Sequence, residues 1–168
     1  MQAKEIKKDI YWVGVKDWNL REFHGYATPH GSTYNSYLIM DEKITLVDGV
    51  KSCMSQEMTE RVKSVVDFSQ ISYVVVNHVE MDHSGNIPEI MKLAPQAVID
   101  NAGKMALEAH FDTAGWNYKL VTTGESVSIG KRSLTFMTTP MLHWPDSMMT
   151  YVKEEKLLLS NDGFGQHL

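Results

Sequence analysis

The sequence predicts a mixed α/β domain in which strands dominate, best described as half of a sheet-on-sheet sandwich flanked by helices. Two observations carry that expectation. Short runs rich in β-branched and aromatic residues recur at 10–15, 34–40, 44–48, 73–77, 97–100, 119–122, 134–138, 149–152 and 157–161, each shorter than a stable helix. Between them lie three stretches with apolar residues at helical spacing. The first, 55–68, places Met58, Val62, Val65 and Val66 on one face with charges between them, and Ser55 is placed to cap it. The second, 86–93, turns Ile87, Ile90 and Leu93 inward and is stopped by Pro95; the third covers 103–114.

Two connections are short enough to be hairpins. Runs 34–40 and 44–48 are separated only by Asp41-Glu42-Lys43, and runs 149–152 and 157–161 by Lys153-Glu154-Glu155-Lys156. Antiparallel pairing is therefore expected in part of the sheet. No repeat, low-complexity tract or linker interrupts the chain, so one domain with functional loops at strand ends is expected.

Composition narrows the function classes. The 168 residues are of single-domain size, enough to bury roughly 70% of the unfolded surface, and 43% hydrophobic with 22% charged residues is ordinary for a globular protein. A net charge of −5 without a Lys/Arg stripe offers no footprint for nucleic acid. The opening Met1-Gln2-Ala3-Lys4-Glu5-Ile6-Lys7-Lys8 has no apolar leader core, and no run approaches the ~18 apolar residues of a membrane span. A cytoplasmic protein with no membrane partner is expected. Cys53 is the only cysteine. It excludes internal disulfides and thiolate cages, leaving nitrogen and oxygen to hold any metal, and Cys53 itself reads as a small buried or half-buried hydrophobe.

The chemistry concentrates after the apolar run Tyr73-Val74-Val75-Val76. There His78, Glu80, Asp82 and His83 supply four donors within six residues before Gly85. A loop can wind all four around one concavity, and unpaired ionisable groups at the end of so apolar a strand would incur a large desolvation cost. Two further donors follow strand ends of the same kind, His143 in Met141-Leu142-His143-Trp144-Pro145-Asp146-Ser147 and Asp162 in Ser160-Asn161-Asp162-Gly163. Six donors are too many for one tetrahedral ion and suit two metals sharing a carboxylate, with Asp162 as the natural bridge.

This order resembles the metallo-β-lactamase superfamily, whose hydrolases carry His-x-His-x-Asp-His in the first loop; here Glu80 replaces the second His. With that replacement the chain resembles the flavodiiron proteins, also called A-type flavoproteins. The segment Leu142-His143-Trp144-Pro145-Asp146-Ser147-Met148, together with Arg21-Glu22-Phe23-His24-Gly25-Tyr26 and Thr33-Tyr34-Asn35-Ser36-Tyr37-Leu38, looks like theirs almost letter for letter. The resemblance implies a metallo-β-lactamase-like αβ/βα sandwich and a di-iron site that reduces oxygen or nitric oxide. One iron would take His78, Glu80 and His143, the other Asp82 and His83, with Asp162 bridging; His83 is the position at which family members vary between metal and water. Exchanging imidazole for carboxylate hardens the site and favours iron over zinc.

Outside the donors, His24 and Trp144 are candidates for the substrate pocket, although a polar loop His and a packed aromatic fit them as well. Asp48 is a candidate to orient a ligand His. His30, His110 and His167 read as structural or surface residues. The family's domain runs past this length, adds another His ligand and is followed by a flavodoxin-like domain binding FMN. This chain shows no phosphate loop opening a helix, so flavin is implied by the resemblance alone. The expectation is therefore half to two-thirds of the sandwich, leaving one sheet's inner face uncovered and completed by additional polypeptide or a homo-oligomer. Electrons would come from rubredoxin, a flavodoxin-like domain or a reductase. A di-iron oxygen-sensing module without turnover and a zinc-type hydrolase remain as alternatives, separable by metal analysis and by oxygen consumption.

Overall fold

The structure, a computed structural model, describes residues 1–101, 103–164 and 168. Fifteen strands lie among them: β1 (Lys4–Lys7), β2 (Ile10–Trp12), β3 (Val15–Asp17), β4 (Glu22–Phe23), β5 (Tyr26–Ala27), β6 (Ser32–Tyr34), β7 (Tyr37–Ile39), β8 (Ile44–Val47), β9 (Ile71–Val75), β10 (Val98–Asn101), β11 (Asn117–Leu120), β12 (Ser126–Ser128), β13 (Ser133–Thr138), β14 (Met148–Val152) and β15 (Leu157–Leu159). The helices are α1 (Ser55–Lys63), α2 (Met81–Ser84), α3 (Ile87–Leu93) and α4 (Lys104–His110).

Seven strands form a mixed sheet in the order β1-β2-β7-β8-β9-β10-β11. Its pairs are antiparallel up to β8 and parallel from β8 to β11. Strands β12 to β15 form a second, antiparallel sheet, and β3–β6 and β4–β5 are small ribbons. The two-residue period of a strand sorts the core. Leu38, Leu46 and Val74 pack with Met58, Val62, Ile90 and Leu107 of the helices, while Ile39, Val47 and Val75, one residue further on, pack against Leu134, Phe136, Val152 and Leu159 of the second sheet. Each such side chain, when fully buried, stabilises by about 1.5–3 kcal/mol before entropy is counted.

The result is a helix–sheet–sheet stack, a mixed α/β fold of the expected type. One expectation fails. The inner face of the four-stranded sheet is not uncovered: Leu134, Phe136 and Val152 are fully buried. The opposite face of that sheet is the open one, with Met137 and Leu158 exposed.

Two runs read as single strands are each split. Run 10–15 divides into β2 and β3, and run 34–40 into β6 and β7, so that each half joins a different sheet. Gly14 sits at the division, where a Cβ would collide with the Tyr34 carbonyl, so the backbones cross too closely for a side chain. Helix α1 is shorter than expected and Ser55 does not cap it; the N-cap is Met54, and the Ser55 hydroxyl is buried without a partner. Cys53 is exposed rather than buried, because the 3-10 turn Ser52–Met54 faces outward. Edge strand β1 is exposed along its length, with sequence Lys-Glu-Ile-Lys, the charged pattern that discourages edge pairing. No helix among the described residues is long and apolar enough to cross a membrane.

The ends of the sandwich are stapled by Arg132. Its Nε donates to Glu155 Oε1 at 2.9 Å and its Nη2 to the Lys8 carbonyl at 2.8 Å, with Asp41 Oδ2 at 3.4 Å from Nη1. Asp41 is held below the usual carboxylate range: burial opposes its charge, but the Lys131 and Glu42 N–H groups and Arg132 outweigh it. Replacing Arg132 by Ala removes the guanidinium from Asp41, Glu155 and the Lys8 carbonyl while Asp41 keeps its backbone donors, and is expected to cost about 2 kcal/mol, read from urea unfolding. A loss below ~1 kcal/mol would put the staple in the class of surface ion pairs.

Candidate metal centre

The parallel strands β8, β9 and β10 end at one edge of the large sheet, where ligands of such sheets commonly bind. Asp48, just after β8, adopts a left-handed backbone (φ 60°). Its carboxylate accepts from the Asn77 N–H at 2.7 Å and from Asn77 Nδ2 at 2.9 Å. The proposed orientation of a His by Asp48 is thereby corrected: it bends the chain at Asn77, the residue before His78. Burial pushes the Asp48 carboxyl above its ordinary range, with the Asn77 bonds opposing. Asn77 also draws in the second sheet, its carbonyl accepting from Met148 N–H at 2.8 Å and its Oδ1 from Thr150 Oγ1 at 2.7 Å.

The donor segment is not a single loop. His78 and Glu80 lie in extended chain, whereas Asp82 and His83 fall in the one-turn helix α2, whose N-cap is Glu80. The turn sets Asp82 and His83 side by side, both buried. His143 arrives from the connection after β13 and Asp162 from the 3-10 turn Asn161–Phe164 after β15.

Together the side chains make two groups. His78, Glu80, His143 and Asp162 bring one donor atom each within 4.8 Å of one another, and so do Asp82, His83 and Asp162. His78 Nε2 lies 3.1 Å and His143 Nε2 3.6 Å from Glu80 Oε2. Asp162 belongs to both groups: Oδ1 is 2.8 Å from His83 Nε2 and Oδ2 is 3.3 Å from His143 Nε2. All six predicted donors therefore converge. His167 lies outside the described residues, and His30 and His110 are exposed.

The donor set suits cations. Asp82 Oδ1 and both ring nitrogens of His83 are buried without a hydrogen-bond partner. His83 Nε2 approaches Asp162 and Asp82 closely without hydrogen-bond alignment, the arrangement expected of groups that face a common ion. An all-nitrogen-and-oxygen set with three carboxylates is hard enough for iron.

A cavity of about 420 Å³ opens over the two groups, and its wall includes His24, Tyr26, Asn35, His143 and Trp144. Both predicted pocket residues thus reach it, and His24 Nε2 lies 2.5 Å from Glu80 Oε1. Sequence reading missed Asp146. Its Oδ2 lies 3.0 Å from His78 Nδ1 and accepts from the Val79 N–H at 2.7 Å; its position three residues beyond His143 was the available signal.

Burial disfavours a charged His78, yet Asp146 and Glu80 raise it to about 9. Burial likewise opposes charge on His83, and Asp162 and Asp82 raise it to about 10. Glu80 and Asp162 move down despite burial, held by His78 and His24 in one case and His83 in the other.

A two-sheet sandwich with helices on one face and two donor groups at its strand ends defines a metallo-β-lactamase-like domain. Residues 33–168 match the family described as "ODP family beta lactamase", and the chain belongs to it. Its curated relatives include the nitric oxide reductase of Moorella thermoacetica, 51% identical over 99% of this chain and 43% of the relative. Another is the rubredoxin-oxygen oxidoreductase of Megalodesulfovibrio gigas, 44% identical over all of this chain and 42% of the relative. Among solved structures, the flavodiiron protein of Giardia intestinalis superimposes with a TM-score of 0.95 at 40% identity, covering 99% of this chain and 41% of that one. The expected flavodiiron resemblance is thus shown, and the chain spans less than half the length of these relatives.

A metal-bound imidazole must give up the proton on its ligating nitrogen. His78 and His83, raised above the usual 6.5, hold theirs at pH 7 and release them only as pH rises through about 9 and 10. Cobalt(II) affinity is therefore expected to rise by about ten-fold per pH unit per displaced proton between pH 7 and 9, followed by optical titration. A flat profile over that window would contradict the placement of these imidazoles among carboxylates.

Proposed function

We propose that the chain carries a di-iron centre that reduces oxygen or nitric oxide. His78, Glu80 and His143 would hold one iron and Asp82 and His83 the other, with Asp162 shared between the two groups. The observation that carries this reading is the division of Asp162 between the two donor groups, one carboxylate oxygen toward each. Two cations held close together need such a shared anion to offset their repulsion. Glu80, where the resembling hydrolases carry His, favours iron over zinc.

When bound, two ferrous ions would supply one electron each, enough with two protons to turn two molecules of nitric oxide into nitrous oxide and water, or half of the four that take oxygen to water, the rest coming from the electron donor. The chain's own residues prepare the place. The carboxylates neutralise the cations, Trp144 walls the cavity beside the His78 ring at 5.8 Å, and His24, hydrogen-bonded to Glu80, is placed to hold a proton at Nε2 on the cavity side. Electrons would be supplied through FMN held by further polypeptide and ultimately by a donor such as rubredoxin, a carrier named in one relative. The working form includes that further polypeptide, and we place the activity in the cytoplasm, in keeping with a lone cysteine.

Protein made anaerobically in iron-replete medium is expected to contain two irons per chain by elemental analysis; full zinc occupancy with trace iron would overturn the redox reading. In Asp162→Ala the Mössbauer signature of a coupled ferric pair is expected to give way to isolated high-spin iron. A coupled signal that survives the substitution would remove Asp162 from the bridge.

A further inference from the structure

We propose that Asp146 is the positioning residue of the centre, holding His78 with its proton on Nδ1 so that Nε2 faces the metal, and locking the two donor-bearing loops together. The inference rests on the two-ion reading above.

The geometry makes the assignment. Asp146 Oδ2 lies at the Nδ1 end of the His78 ring, while Nε2, at the opposite end, faces Glu80 Oε2 at 3.1 Å. Asp146 is accordingly absent from both donor groups. The same oxygen accepts the Val79 N–H at 2.7 Å, so it is already committed as an acceptor, and an ionised carboxylate has no proton to donate. The hydrogen of that contact therefore belongs to Nδ1, so that a cation displaces only the proton on Nε2 and takes its lone pair there. A carboxylate in this place also raises the basicity of the imidazole it holds.

Asp146 does this from a distant stretch of chain. It stands three residues beyond His143, so one loop supplies both a donor and the group that orients a donor 68 positions earlier. Two independent features keep it there. Met148, two residues on, donates to the Asn77 carbonyl. On the other side, a Cβ at Gly103 would lie 3.1 Å from Asp146 Cβ, so the chain after β10 closes against its back with no space to spare. Displacing the carboxylate releases His78 and the Val79 backbone at once.

Cobalt(II) titration of the intact protein, followed by its visible absorption, tests the assignment alongside 15N NMR of the zinc-loaded form. The parent is expected to take up two ions and to show a slowly exchanging Nδ1–H on His78. Asp146→Asn, which keeps the shape and an acceptor oxygen but loses the charge, is expected to weaken one of the two ions about ten-fold, and Asp146→Ala up to about a hundred-fold with loss of the Nδ1–H signal. The ion held by Asp82 and His83 stays at parental affinity, an asymmetry that general loosening of the fold would not produce. The isosteric Asp146→Asn decides the matter if the alanine variant does not fold: parental affinity for both ions in that variant overturns the assignment. A parent that binds fewer than two ions overturns the centre itself, which is a different failure.

Discussion

Three carboxylates and three imidazoles converge at one edge of the sandwich, several of them buried, and the surrounding structure is arranged to tolerate that crowding. Glu80, Asp82 and Asp162 within a few ångströms of one another would repel strongly in a medium less polar than water. The three imidazoles interleave with them, and each carboxylate of the set has one as a close neighbour. The alternation is possible only because both sheets contribute: the first brings residues 78–83, the second His143 and Asp162. Neither sheet alone brings all six donors.

Holding such an arrangement requires backbone that a free chain would not choose. Of the six described non-glycine residues with left-handed backbones, His24, Asp48, Met141 and Asn161 stand in or beside the site. Each conformation of this kind costs on the order of 1–3 kcal/mol and persists only where the surroundings impose it. At Asp48 the imposing bonds are known: Asn77 donates twice to its side chain and Ser36 Oγ donates to its carbonyl at 2.7 Å. The strain is thus tied to a buried network that connects the first sheet to the donors.

Much of this was legible from residue order. The apolar strand running into His78, the donors after the later strand ends and the substitution of Glu80 for His each left a local mark, and the two hairpins follow from loop length. What was illegible depended on distance. Nothing in the run 34–40 reveals that Ser32–Tyr34 and Tyr37–Ile39 join different sheets, because the break arises from the crossing of Gly14 under Tyr34. Asp48 was read as a partner for a His because buried carboxylates near imidazoles often are. Its real partner, Asn77, lies beside the first donor, and only the turn of the backbone selects between them. Asp146 carries no local mark of its role, since its contact with His78 spans the two sheets. Ser55 had the right residue type for a cap, and its hydroxyl was instead enclosed by packing.

The Arg132 staple bears on how the chain acquires its shape. It ties the Lys8 carbonyl to a guanidinium 124 positions later, and Lys7 Nζ reaches the Glu155 carbonyl across 148 positions. Contacts of that span close only after most of the polypeptide has been ordered, and topologies rich in them nucleate slowly. The second sheet, whose connections carry two of the six donors, is also made after the first on the ribosome. A nascent chain therefore exposes His78, Glu80, Asp82 and His83 before His143 and Asp162 exist, and an ion met at that moment encounters an incomplete chelate. For a centre of this kind, the order in which the donors appear would then bear on which ion is taken up, alongside ligand hardness.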